Sequence, residues 1–154
     1  MILQKRPTPN EEAKLGYEVV ENSLWAAVPA YLRELYEQIK NTIGYSFPVD
    51  ARPIHFSSWM GGDRDGNPNV TAKITKDVLL DSRKRAVKLF LSDIEVLVKE
   101  LSMATCTAEF RDYINDYEVG EPYRKLAKRL RSRLKATNTY LVAIIEGKHP
   151  DLSD

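Results

Sequence analysis

From Asn10 to Lys40 the apolar residues recur every three or four positions. Leu15, Val19, Leu24, Val28, Leu32, Leu35 and Ile39 form one stripe, with Glu11, Glu12, Lys14, Arg33, Glu34 and Lys40 largely off it. That period predicts helix over 10–44, with Asn10 as N-cap, Glu11 and Glu12 as an acidic first turn, and Gly44 at the end. Pro29 removes a donor inside the pattern, so it reads as two helices or as one kinked at Val28-Pro29. Over 52–59 the period falls to two. Ile54, Phe56 and Ser58 alternate with His55, Ser57 and Trp59, and Pro53 sits where a missing donor matters least, so a short strand is expected. One strand cannot make a sheet, which suggests that partners lie elsewhere.

The loop 60–70 carries three of the seven glycines. A long helical pattern follows over 71–105, with Val78, Leu79, Ala86, Leu89, Phe90, Ile94, Leu97, Val98 and Leu101 as its apolar positions. Ala108 to Asn115 reads as a short helix. The last helix is expected over 122–146, with Pro122 at its first position and Gly147 just past its end. The fold class expected from this pattern is mainly α: several long helices and one short strand in a single segment, 1–154. Both ends look cut, since Arg6-Pro7-Thr8-Pro9 leads straight into a helix and the chain stops at His149-Pro150-Asp151-Leu152-Ser153-Asp154.

Composition narrows the class. With 154 residues, 43% apolar and 29% charged, the chain can build one real core and is not disordered. Its apolar runs, such as Val96-Leu97-Val98, are too short to span a membrane, and Met1-Ile2-Leu3 runs straight into Gln4, Lys5 and Arg6, unlike a secretory leader. Cys106 is the single cysteine, which suits a reducing compartment. The net charge of +1 nominates neither nucleic acid nor membrane. Locally the picture differs: Arg124, Lys125, Lys128, Arg129, Arg131, Arg133 and Lys135 crowd one helix, with no acidic residue from Pro122 to Val142. Arg124, Lys128, Arg131 and Lys135 share a face opposite Leu126, Leu130, Leu134 and Leu141. This admits a non-catalytic binding module using the 122–146 helix, or a solvated or subunit-facing surface balanced by acidic residues elsewhere, and the second reading is favoured.

Asp63-Arg64-Asp65-Gly66-Asn67 superficially resembles a calcium loop, but with Asp63 as position 1 the glycine falls too early and Ile74 stands where a bidentate glutamate is needed. Neither the P-loop nor the dinucleotide spacing is present. Spacing alone favours a tight turn held by its own aspartates over a phosphate cradle. His55 reads as a hydrogen-bonded core histidine, His149 has no Cys/His cluster, and Cys106 has no nucleophile signature.

The dense run from Phe56 to Thr71, with Trp59-Met60-Gly61-Gly62-Asp63-Arg64-Asp65-Gly66-Asn67-Pro68 at its centre, resembles phosphoenolpyruvate carboxylase. Flanking stretches agree, among them Glu21-Asn22-Ser23-Leu24-Trp25, Tyr31-Leu32-Arg33-Glu34-Leu35, Glu121-Pro122-Tyr123-Arg124 and Leu130-Arg131-Ser132-Arg133-Leu134. The likeness covers nearly the whole chain, in the bacterial style. It implies an internal slice of a helix-padded (β/α)8 barrel, with 52–59 as a barrel strand and 60–70 as an active-site loop at its carboxyl end. The family's histidine motif, its glycine- and arginine-rich loop and its acidic metal ligands are not in this sequence, so no catalytic or metal-binding residue is assigned, and the isolated chain is expected to be inactive.

The resemblance further implies a lyase that carboxylates phosphoenolpyruvate with bicarbonate to oxaloacetate and phosphate, feeding the tricarboxylic acid cycle. It implies Mg2+ or Mn2+ in the parent, allosteric control, a cytoplasmic homotetramer, the rest of the polypeptide as partner, and neither nucleic acid nor membrane. Trp59 and Met60 would contact substrate. Gly61, Gly62, Asp63, Arg64, Asp65, Gly66 and Asn67 would organise the loop, and Arg124 is a candidate contact for an anionic effector.

Overall fold

Thr8, not Asn10, opens the first helix. Its hydroxyl accepts from the Glu11 amide at 3.3 Å, and the Glu11 carboxylate accepts from the Thr8 amide at 2.7 Å, a reciprocal capping box with Pro9 at the first helical position. Asn10 therefore lies inside α1 (Pro9–Val19). The computed structural model describes residues 6–115 and 120–148, so Met1-Ile2-Leu3 and the stretch from His149 to Asp154 lie outside the described residues.

Pro29 does not break the chain into two helices. α1 runs through a single π-helical turn, Val20–Leu24, into α2 (Trp25–Ile43), which keeps Pro29 in its interior. The irregularity sits upstream of Val28-Pro29, where the Trp25 amide reaches the Val20 carbonyl. One inserted residue rotates all later positions by about 100°. The stripe from Leu15 to Ile39 is thus two offset stripes, and Leu15 and Val19 are each 56% exposed while α1 buries Ala13. Gly44, at φ 72°, closes α2 with its amide on the Lys40 carbonyl. Beyond it Phe47 stacks on Tyr36 at 4.5 Å and meets Tyr45 edge-on at 5.1 Å, while the Tyr36 hydroxyl donates to the Ala51 carbonyl, folding this segment back on α2.

Residues 52–59 form no strand, and all of them are exposed. A strand is stabilised by the ladder it shares with a neighbour, and among the described residues no second strand is present to supply one. The mainly helical expectation holds; the barrel sheet is not formed. α3 (Ala72–Glu100) is shorter than the expected 71–105: the Leu101 amide still reaches the Leu97 carbonyl, the Ser102 amide turns back onto the Glu100 carbonyl, and 101–107 has no regular secondary structure. The Thr107 hydroxyl accepts from the Phe110 amide at 3.2 Å and caps α4 (Ala108–Ile114), which Asn115 closes at φ 49°. α5 (Pro122–Ile145) has Pro122 at its start and Gly147 at φ 72° just beyond it.

The chain divides into two units, Met1–Val78 and Leu79–Asp154, so α3 gives its first turns to the first and the remainder to the second. In the first, Ala13, Val70 and Val78 are the buried hydrophobic residues among those described. In the second, Val87 and Ile94 of α3, Ile114 of α4, and Ala127 and Leu141 of α5 are buried, with Phe110 stacked on Tyr123 at 4.4 Å. Cys106 is free and half-buried. No helix among the described residues is long and apolar enough to cross a membrane.

Candidate functional site

The segment from Ser58 to Thr71 is a chain of turns that delivers an exposed tryptophan into a helix start. The Ser58 hydroxyl accepts from the Met60 amide at 3.2 Å, and the Trp59 carbonyl accepts from the amides of both Gly62 and Asp63 at 2.9 Å. Gly61 sits at φ 71°, and a Cβ there would lie 2.7 Å from Cγ2 of Val78, so glycine is required by conformation and by space. Its carbonyl accepts the Thr75 hydroxyl at 2.6 Å.

A second turn follows. Asp65 takes φ 29° and Gly66 φ 73°, the Asn67 amide donates to the Arg64 carbonyl, and the Asn67 side-chain oxygen accepts from the Asn69 amide at 2.9 Å. The tight-turn expectation holds with a change of actor: the Asx cap is Asn67, not an aspartate. Val70 is buried beneath it, and the Thr71 hydroxyl accepts from the Ile74 amide at 3.3 Å, serving a free donor at the start of α3.

The expected substrate-contacting and loop-organising residues, Trp59 to Asn67, therefore share one short segment, and Arg124 lies outside it. Trp59 is 72% exposed, and Gly62, Asp63, Arg64, Asp65, Gly66 and Asn67 are exposed with it. Met60 differs. It turns inward, half-buried, against Gly16 of α1, where a Cβ would stand 2.4 Å from its Sδ and Cε. His55 is exposed and so is not the core histidine that its mid-strand position suggested, because the strand that would have buried it is not formed. Among the described residues no three of His, Cys, Asp and Glu come together as a metal site. Asp63 and Asp65 alone do not fit a divalent cation, so no chemical step is routed through one here.

Arg124 belongs to the second unit. Its guanidinium pairs with Glu121, donates to the Lys99 carbonyl at 3.2 Å, and buries an Nε that has no hydrogen-bond partner among the described residues. Further along α5, Glu95 of α3 receives Arg131 at 3.2 Å and Lys135 at 3.7 Å, and Arg129 donates to the Ile114 carbonyl. Much of the basic helix is thus balanced within its own unit, which is the bland alternative drawn from the sequence.

Gly16, Tyr17 and Thr75 were not singled out by the sequence reading, and Val78 was read there only as an apolar position of the long helix. They hold the Trp59 turn in place: the Tyr17 hydroxyl also reaches the Val78 carbonyl, at 3.4 Å. One signal was available, since an isolated glycine inside a helical pattern usually marks a close approach.

Similarity to known proteins runs along the entire segment. The family profile described as phosphoenolpyruvate carboxylase matches residues 1–153. Phosphoenolpyruvate carboxylases of Yersinia enterocolitica, Proteus mirabilis and Pectobacterium carotovorum are each 59% identical over 147 residues, covering 96% of this chain. The chain spans 17% of the length of these relatives.

Proposed function

Because the chain belongs to the phosphoenolpyruvate carboxylase family, we propose that it is a piece of that enzyme and that its segment 59–70 walls part of the active site. The parent carboxylates phosphoenolpyruvate: bicarbonate attacks the phosphate to give carboxyphosphate and the enolate of pyruvate, carboxyphosphate breaks into inorganic phosphate and carbon dioxide, and the enolate captures the carbon dioxide as oxaloacetate. A divalent metal would be held by the rest of the polypeptide, not by Asp63 or Asp65, and would supply Lewis-acid stabilisation of developing negative charge. What this chain contributes is shelter. Water reaching the enolate would protonate it to pyruvate, and an indole beside the methylene carbon keeps water away.

The observation carrying this reading is Trp59, 72% exposed at the tip of a backbone turn that is itself tightly hydrogen-bonded. A large exposed aromatic on a rigid support has no packing purpose within its own unit. Residues 52–59, exposed and unpaired here, become a barrel strand in the complete enzyme, with 60–70 at its carboxyl end. Asp63, Arg64, Asp65 and Asn67 shape the loop around the indole. Trp59→Ala in the full-length enzyme raises KM for phosphoenolpyruvate and the share of product released as pyruvate, with melting temperature little changed. A large drop in melting temperature with normal kinetics in the folded remainder refutes the assignment.

The isolated 154-residue chain makes no oxaloacetate in this reading, and metal-dependent turnover by the pure chain in a coupled assay refutes that. The parent is a cytoplasmic homotetramer under allosteric control. Arg124 meets an anionic effector only by exchanging Glu121 for it. Arg124→Glu therefore blunts activation by sugar phosphates at unchanged basal turnover, and an unaltered activation curve ends that role. Glu95 and Glu121 on the basic residues of α5 favour the carboxylase piece over a free-standing binding module.

A further inference from the structure

Three neighbours outside the glycine-rich motif fix the Trp59–Gly61 turn. Gly16 occupies the middle of α1, where glycine weakens a helix relative to alanine, and the space it leaves is filled by the end of the Met60 side chain. Thr75, on the first turn of α3, donates its hydroxyl to the Gly61 carbonyl at 2.6 Å, with its own Thr71 carbonyl as a poorer acceptor at 3.2 Å. Val78, one turn on, covers the Cα of Gly61. The three contacts act on consecutive atoms of one short path: the Met60 side chain, the Gly61 Cα and the Gly61 carbonyl. Ahead of them the Trp59 carbonyl is locked by two amides, yet the indole is left exposed. The backbone is held and the side chain is presented, which is how a positioned site residue differs from a loop tip.

We propose that Gly16 and Thr75 are positioning residues of the carboxylase site: Gly16 seats Met60, Thr75 holds the Gly61 carbonyl, and together they aim the Trp59 indole at the substrate. This rests on reading Trp59 as an active-site wall. Neither residue touches substrate. Each acts through the turn, so its loss loosens the wall and admits water without removing a reacting group.

The test uses the full-length enzyme with Thr75→Val, Thr75→Ser, Gly16→Ala and Trp59→Ala. Hydrogen exchange of the Gly62 and Asp63 amides reports the clasp. KM for phosphoenolpyruvate, pyruvate share and melting temperature report its use. In Thr75→Val, exchange of those amides and KM each rise about fivefold, the ordinary worth of one hydrogen bond. The pyruvate share rises with them, and Thr75→Ser restores all three. Gly16→Ala raises KM and the pyruvate share while its melting temperature stays level or increases, because alanine suits the helix and only Met60 is displaced. Unchanged exchange in Thr75→Val overturns the clasp whatever Trp59 does. Faster exchange with normal KM and normal pyruvate share, alongside an impaired Trp59→Ala, overturns the positioning role. A lowered melting temperature with normal kinetics in Gly16→Ala overturns its part. Normal kinetics in Trp59→Ala refutes the wall itself, and the exchange result then still decides the clasp.

Discussion

Val78 and Ile94 both belong to α3 and both are buried, at 4% and 8% exposure, but they serve opposite kinds of structure. Val78, in the first unit, is buried against backbone: it closes on the Cα of a glycine in a left-handed turn. Ile94, in the second, is buried among side chains, where it lines an apolar groove of about 530 Å³ with Phe90, Leu97, Leu130 and Leu134. Side chains facing side chains can repack when one changes size. A side chain facing a glycine backbone has nowhere to move. The first unit therefore holds the Trp59–Gly61 turn through tight fits to glycine, and the second buries its apolar residues among side chains.

Five substitutions, each made in the full-length enzyme, probe that contrast. Leu141→Ala removes one of the most deeply buried side chains of α5, at 5% exposure, and lowers stability by about 2–5 kcal/mol. Its kinetics in the folded remainder stay normal, and a changed pyruvate share would erase the separation between packing and site. Gly61→Ala combines a left-handed φ of 71° with overlap on Val78 and costs roughly 2–4 kcal/mol, together with most activity. Gly66→Ala has the same φ sign but nothing within 4 Å, so it loses only about 1–2 kcal/mol. Equal thermal shifts for the two glycines would show that conformation alone, not the fit to Val78, fixes the turn.

Glu95→Ala strips Arg131 and Lys135 of their shared partner in the second unit. Glu95 is 40% exposed, so the loss is about 0.5–1 kcal/mol, shrinks as salt is added, and leaves KM for phosphoenolpyruvate unchanged. A salt-independent loss would move this pair into the core of the helix packing.

The smallest effect belongs to Glu146 and Lys148, 2.6 Å apart just past α5. The hydrogen bond from Lys148 lowers the Glu146 carboxyl below 4.5, and the same bond raises the Lys148 ammonium above 10.5. The carboxylate's contribution is present above its ordinary value and lost as pH falls through the lowered one. The ammonium's is present below its ordinary value and lost as pH rises through the raised one. The pair therefore acts between about pH 4.5 and 10.5, yet both groups are fully exposed, and Lys148→Ala leaves the melting temperature at pH 7 unchanged. A measurable shift would mean that the chain beyond α5 is held down in the complete protein.

Helix content, the proline at the start of α5, the glycines at 44 and 147, and the Trp59–Asn67 motif were all legible along the chain, because each depends on neighbours within a few residues. The Thr8–Glu11 capping box was equally local and equally visible, and the more familiar Asn10 obscured it. Residues 52–59 carry a strand's alternation, yet alternation states only which face a strand would bury, and the ladder needs a second strand that the described residues do not supply. The π turn at Val20–Leu24 was illegible for a different reason: one extra residue shifts the phase of a stripe without altering its composition.

What the sequence determined by itself was the set of helices and the identity of the motif, since short-range sterics and backbone hydrogen bonds write both into adjacent residues. Tertiary structure alone decided which residues support the motif. Gly16 and Thr75 lie 43 and 16 positions from Trp59, and only the fold brings the Met60 thioether onto one and the Gly61 carbonyl onto the other. A missing side chain on one helix and a hydroxyl on another acquire meaning as a pair only when both close on the same turn, because close packing and hydrogen bonding act across space and not along the chain.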